Sequence, residues 1–136
     1  MIEHRLDTRA ASEVARQLLA EDPDNLIQVW RHAILQLLDD YNGARRAGEP
    51  AHELLVPEPP RTGDSRVDAA LAALTEHLAH RDEWPPPSWV NGPDRYAQPC
   101  WYVAGLRSLE PIAVRESPPS FRTRGIYITD RALSRA

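Results

Sequence analysis

His77 and His80 stand three residues apart, with Asp82 and Glu83 just beyond them. On a helix that spacing sets two imidazoles on one face, as a zinc site would require. No cysteine pair and no His-Glu-x-x-His pattern accompanies them, so no metal site is expected; a solvated helix end is the plainer reading, and histidines there suit the helix dipole. Cys100 is the single thiol. A catalytic thiolate needs a neighbouring base, which His32 or His77 could bring only through tertiary contacts, and a small packed cysteine is the commoner role. Asp39-Asp40 and Glu21-Asp22-Asp24 could serve acid–base chemistry or hold Mg²⁺. Nothing around them matches a phosphoryl-transfer or nuclease pattern, and they read as solvated helix ends. No phosphate-binding glycine loop, GxSxG or CxxC occurs. No catalytic residue and no cofactor is therefore assigned.

Recognition is better represented. Arg115, Arg122 and Arg124 straddle Phe121, with Tyr127, Arg131 and Arg135 following. Arginine and aromatic residues dominate protein interfaces, so Arg115, Phe121, Arg122, Arg124 and Tyr127 are the candidate partner-binding set. A solvated turn beside an anchored Phe121 is the alternative. Trp84, Trp89, Trp101 and Tyr102 form a candidate aromatic cluster, read first as core packing and second as a cleft.

These residues must be positioned by a chain whose 16 cations are all arginine and whose net charge is -4. Residues 1–82 hold nine arginines against fifteen acids; residues 83–136 hold seven against five. An acidic chain makes nucleic acid an unfavoured partner, while the basic tail suits an anion or an acidic protein. No apolar run reaches the roughly 18 residues of a membrane span. Met1-Ile2-Glu3-His4-Arg5 lacks the apolar core of a secretory signal, and one cysteine suits a reducing compartment, so a cytoplasmic location is expected.

Helical spacing predicts three principal helices. Residues 8–21 carry Ala11, Val14, Ala15, Leu18 and Leu19, with Asp7 or Thr8 as cap. Residues 25–42 carry a broad stripe from Leu26 to Tyr41, an Asn25/Gln28 capping box and a terminating Gly43. That stripe, 26–41, could serve a homodimer as well as a core. Residues 65–81 carry Val67, Ala70, Leu71, Leu74 and Leu78 behind a Ser65/Asp68 cap. Between them, 43–63 reads as a mobile connector, or as one with a helical turn at 50–56. Beyond Trp84 short pieces are expected: a turn of helix at Asp94–Ala97, an extended or helical run at Trp101–Val103, a short segment at Leu106–Val114, a turn opened by Ser117 with proline at its first helical position and ended by Gly125, and a short strand or extended segment at Ile126–Ile128. The chain thus reads as one domain over 1–136, mainly α (α+β at most). Its helical part is 1–82, its proline- and tryptophan-rich cap is 83–136, and the cap has room for a two-stranded element.

The phrases Asp68-Ala69-Ala70-Leu71-Ala72-Ala73-Leu74, Trp84-Pro85-Pro86-Pro87-Ser88-Trp89-Val90 and Ser117-Pro118-Pro119-Ser120-Phe121-Arg122-Thr123-Arg124-Gly125-Ile126-Tyr127-Ile128 resemble those of a family of small actinobacterial proteins. The resemblance covers residues 65–133. It implies partnership with a nucleotidyltransferase-like or helix-turn-helix protein in a toxin–antitoxin-like gene pair. The expected function is a non-enzymatic interaction module, antitoxin-like or accessory. The alternatives are a toxin-type RNase or transferase using Arg122, Arg124, His77 and a carboxylate, and a nucleic-acid-binding regulator.

Overall fold

The computed structural model describes residues 5–133; Met1–His4 and Arg135 lie outside the described residues. Helix α1 (Thr8–Glu21) starts at Asp7, whose Oδ1 accepts from the Ala10 N–H at 2.8 Å. Thr8 does not cap; its hydroxyl donates to the Pro57 carbonyl.

The second helix is built in three parts: α2 (Leu26–Val29), a π-helical turn over Trp30–Ile34, and α3 (Leu35–Arg46). The capping box does not form. Gln28 Oε1 lies 2.9 Å from His32 Nε2, and Asn25 makes no side-chain cap. Gly43 is no terminator either. It sits inside α3, where an added Cβ would come within 2.8 Å of Arg5 Nη1, so glycine there makes room for a guanidinium. The chain turns at Gly48, with φ +74°, a conformation glycine adopts without strain. The apolar stripe is consumed by the core: Val29, Trp30, Ala33, Ile34, Leu37, Leu38 and Tyr41 are all buried.

The connector holds a 3₁₀ turn at Ala51–Leu54 and then runs beside α1. Prolines 57, 59 and 60 have no N–H, so their segment has carbonyls rather than donors to satisfy. Four side chains supply the donors. Thr8 bonds Pro57, Ser12 Oγ bonds Pro60, Trp89 Nε1 bonds Val56 and Arg95 Nη2 bonds Pro59.

Helix α4 (Ser65–Asp82) is the central element, with Val67 through Thr75 and Leu78 and Ala79 buried. A helix apolar nearly all round belongs in the middle of a fold. Alanines 69, 72 and 73 keep it slim enough to take neighbours on every side, and it packs against α1, the short helix Pro119–Arg122 and the Ser88–Asn91 turn. Its cap is Asp64, not Ser65: the Asp64 carboxylate accepts from the Arg66 N–H at 2.9 Å. The Ser65 hydroxyl serves Gln98, donating to its carbonyl and accepting from its N–H. Asp68 is buried and accepts from the Thr62 N–H and hydroxyl.

The cap region holds short pieces, as expected, but not all in the expected places. A 3₁₀ turn forms at Ser88–Asn91, and Asp94–Ala97 is not helical. Strand β1 (Trp101–Tyr102) pairs in parallel with β2 (Ile126–Tyr127), with Trp101 opposite Ile126 and Tyr102 opposite Tyr127. Between them come a 3₁₀ turn at Arg107–Leu109, α5 (Glu110–Glu116) and α6 (Pro119–Arg122). Ser117 does not cap α6. Its hydroxyl donates to the Ala113 carbonyl at 2.6 Å and accepts from the Ile128 N–H at 2.8 Å, locking α5 to the end of β2. Gly125, at φ +78°, closes the α6 turn. A last 3₁₀ turn spans Asp130–Leu133. The fold is mainly α with one small parallel pair.

Candidate functional site

The predicted recognition set does not form one surface. Phe121 is wholly buried, edge-on to Trp30 at 6.3 Å and to His77 at 5.9 Å. Arg124 is 2% exposed. Its Nη1 donates to Glu76 Oε1 at 2.8 Å and to the Ser120 carbonyl, and its Nη2 donates to the Val90 carbonyl. It is a strut between α4, α6 and the Ser88–Asn91 turn rather than an outward cation. The Glu76 carboxyl feels burial pushing its pKa up, and the Arg124 hydrogen bond and charge outweigh that and hold it below the usual value. Arg115 and Arg122 are exposed, and Tyr127 is half-buried, stacked on Tyr102 at 4.8 Å.

The four predicted cluster aromatics part company too. Trp84 donates its indole N–H to the Tyr41 hydroxyl, which itself donates to Asp82. Trp89 lies under the buried Arg95 guanidinium at 4.9 Å. Trp101 packs edge-on against Trp30 at 5.6 Å, and Tyr102 takes Tyr127. Except for Arg95 beside Trp89, the partners lie far away in sequence, so local clustering of rings says little about which of them touch.

The enzyme-type set fares similarly. His77 lies beside Phe121, and burial, with the charge of Arg81 adding to it, holds its imidazole pKa below the ordinary value. Arg124 is occupied by Glu76, and Arg122 reaches the Val114 carbonyl, so the guanidiniums do not converge on His77. Cys100 is exposed. Among the described residues no three His, Cys, Asp or Glu side chains come together as metal ligands.

What the fold does assemble is a groove of about 250 Å³ beside the π-helical turn. Ile27, Trp30 and Leu35 form one wall; Val103, Ala104, Thr129 and Ala132 form the other; Arg31 and Arg131 stand at its rim. The π-helical turn adds a residue to one turn of the helix, and such insertions recur at functional sites. Trp30 is the hinge of the arrangement. Its ring packs on Trp101 and Phe121, and its indole N–H donates to the Ala132 carbonyl at 3.1 Å. The groove floor thus has its polar atom satisfied from within and offers an incoming group an apolar surface. Ile27 is 54% exposed at the groove, and Leu106, two residues past the groove-lining Ala104, is 59% exposed. A second depression, about 400 Å³, shares the Thr129 and Arg131 wall and is lined by Leu109, Ile112, Glu116 and Asp130.

Sequence reading missed this site for a physical reason. It joins residues near 30, 103 and 131, and no local pattern links them. Two signals were present. Ile27 falls off the apolar stripe, sharing the outer face with Arg31 at i,i+4, and Leu106 is a lone large apolar residue between Gly105 and Arg107.

The fold and groove together define a small, mainly α domain with an apolar recess and no assembled catalytic constellation among the described residues. Compared with protein-family models, curated proteins and solved structures, the chain finds no match in any of the three. No helix among the described residues is long and apolar enough to cross a membrane.

Proposed function

We propose that this chain is a non-enzymatic protein-interaction module, acting as an antitoxin-like or accessory subunit of a two-protein pair, and that the groove beside Trp30 is where the partner docks. The observation that carries this reading is a recess walled by aliphatic and indole carbon, with Ile27 exposed at its edge and two guanidiniums at its rim. Its volume falls below the roughly 300–1,000 Å³ of ordinary small-molecule sites, which suits one or two side chains of another chain. Apolar anchors in a recess with a polar rim are the usual anatomy of a protein interface. Exposed Arg115 and Arg122 stay candidate partner contacts outside the groove, and Phe121 supports Trp30 from within the core. The homodimer reading through 26–41 is less favoured, because that stripe is already buried within the chain and leaves Ile27 outside.

The test is co-purification with the product of the adjacent gene. Capture by the parent chain and loss of capture by Ile27→Asp, with circular dichroism unchanged, is the expected result. Capture that ignores Ile27→Asp removes the groove from the reading. Growth arrest on expression of the chain alone, abolished by His77→Gln, would replace the reading with an enzymatic one.

A further inference from the structure

We infer that the Trp30–Ile34 π turn is a register switch that makes and unmakes the groove: residues 129–133 hold it in the π form, and their withdrawal lets it relax into unbroken α-helix. The switch rests on the reading of the groove as the docking site and supplies its control.

The π register is not written in the local sequence. Leu26, Val29, Trp30, Ala33, Ile34, Leu37, Leu38 and Tyr41 recur at spacings of three and four, with no extra residue across the turn. An unbroken α-helix would keep them all within about half of its circumference. π turns are rare, so contacts from outside the helix select this one. What the turn changes is Leu35. In an unbroken helix Leu35, five residues on, points about 140° away from Trp30; with one residue absorbed it takes the place of an i+4 neighbour, about 40° away. The Leu35 N–H accordingly donates to the Trp30 carbonyl, five residues back. Leu35 is buried there and shares the groove wall with Ile27 and Trp30. The recess in this form needs this register.

The selecting contacts end at Trp30. Its ring meets the buried Trp101 and Phe121, and its indole N–H donates to the Ala132 carbonyl at 3.1 Å. The Ala132 contact is the one that can let go. The last turn, Asp130–Leu133, has no buried side chain. Apart from the indole, its tie to the rest of the domain among the described residues is an exposed hydrogen bond from the Asp130 N–H to Glu116 Oε1 at 3.0 Å. Segments so lightly held open at small cost in free energy. A partner that fills the groove binds the π register alone, and by linkage it holds the last turn down in return.

The experiment uses the full chain, labelled with ²H, ¹³C and ¹⁵N, as parent, Leu133→Asp and Trp30→Phe. Leu133→Asp lifts the last turn without touching the helix; Trp30→Phe keeps a ring and removes the donor. Scalar couplings across hydrogen bonds identify the acceptor of each amide. The parent is expected to couple the residue 30 carbonyl to the Leu35 nitrogen. In both variants that coupling is expected to fall by about half or more, and the α pair, residue 30 carbonyl to Ile34 nitrogen, to appear. Millisecond exchange is expected at residues 30–35, with the couplings of 39–46 unchanged. The inference is overturned if the Leu35 coupling is unchanged in both variants, which makes the π turn a fixed feature of the fold. It is equally overturned if 30–35 take random-coil carbon shifts, which means that the helix frays and does not change register. If the neighbouring protein is captured through Ile27 while the Leu35 coupling never changes, the docking reading stands and the switch falls. If the register changes and the neighbour is not captured, the docking reading falls alone.

Discussion

The helical half and the C-terminal half are held together by different interactions. In α1, the second helix and α4, the interior is mostly hydrocarbon: Ala11, Val29, Ile34, Leu37, Leu71 and Leu74 are all fully buried, with Thr8, Ser12, Asp68 and Thr75 the buried polar side chains. From Trp84 onward the backbone is irregular and its carbonyls lack regular partners. There the interior includes two guanidiniums and is bonded by an indole and a serine hydroxyl. Arg124 ties Val90 and Ser120 to Glu76, Arg95 ties the loop to Pro59, Trp89 holds Val56 and Ser117 holds Ile128. Regular helices satisfy their own polar groups and need only apolar burial from outside. Proline-rich chain cannot do so, and long polar side chains from elsewhere complete its hydrogen bonding.

If that contrast is right, the largest effect falls on Arg124. Arg124→Ala leaves Glu76 without its cation and two carbonyls without donors, and it is expected to destabilise by about 3–5 kcal/mol. That is as much as an apolar deletion such as Leu37→Ala in the helical half, at about 2–5 kcal/mol. Urea denaturation of both variants checks this, and Arg124→Lys is expected not to recover the loss, because an ammonium lacks the planar fork that meets three acceptors. A tolerant Arg124→Ala would show that the C-terminal half is apolar-locked after all.

Arg95 sharpens the comparison in the opposite direction. It is fully buried, yet its Nε and Nη1 have no hydrogen-bond partner, and burial holds its pKa below the usual guanidinium value. Burial also favours the neutral form of nearby Asp68, raising its pKa, although the Thr62 bonds work against that. A buried cation so incompletely served contributes little, and replacing such groups by packed apolar side chains is often neutral or better. Arg95→Met is therefore expected to stay within about 1 kcal/mol of the parent in the same denaturation series. A loss as large as that of Arg124→Ala would break the distinction between the two struts.

The smallest effect concerns pH. The neutral form of His77 is favoured by burial, with Arg81 adding to this and Asp82 opposing it. A depressed folded-state pKa gives stability that is full above the unfolded value of 6.5 and lost as pH falls through the folded value. Thermal melts are thus expected to fall between pH 7 and 5, and to fall less in His77→Gln. Glu76 is held below 4.5, so its own contribution is lost only at lower pH and does not confuse that window.

Much of the architecture was legible from residue spacing. The helices at 8–21 and 65–81, the helical character of 26–41 and the extended segment at 126–128 all follow from apolar periodicity and β-branched residues. What escaped was decided by partners distant along the chain. Asp64 rather than Ser65 caps α4 because Ser65 is engaged by Gln98. Gly43 lies inside α3 rather than ending it, with the Arg5 guanidinium over the space a side chain would take. Arg124 reads as an outward contact from sequence because charge ordinarily is surface. The candidate groove was the least legible part, since its walls come from three separate stretches.

The Trp30 indole reaches the Ala132 carbonyl across 102 residues of chain. A recess completed by so distant a contact is absent from every partly folded form in which the first and last segments have not met. Under the docking proposed above, a partner would engage only the finished domain, because nascent copies lack the far wall of the recess.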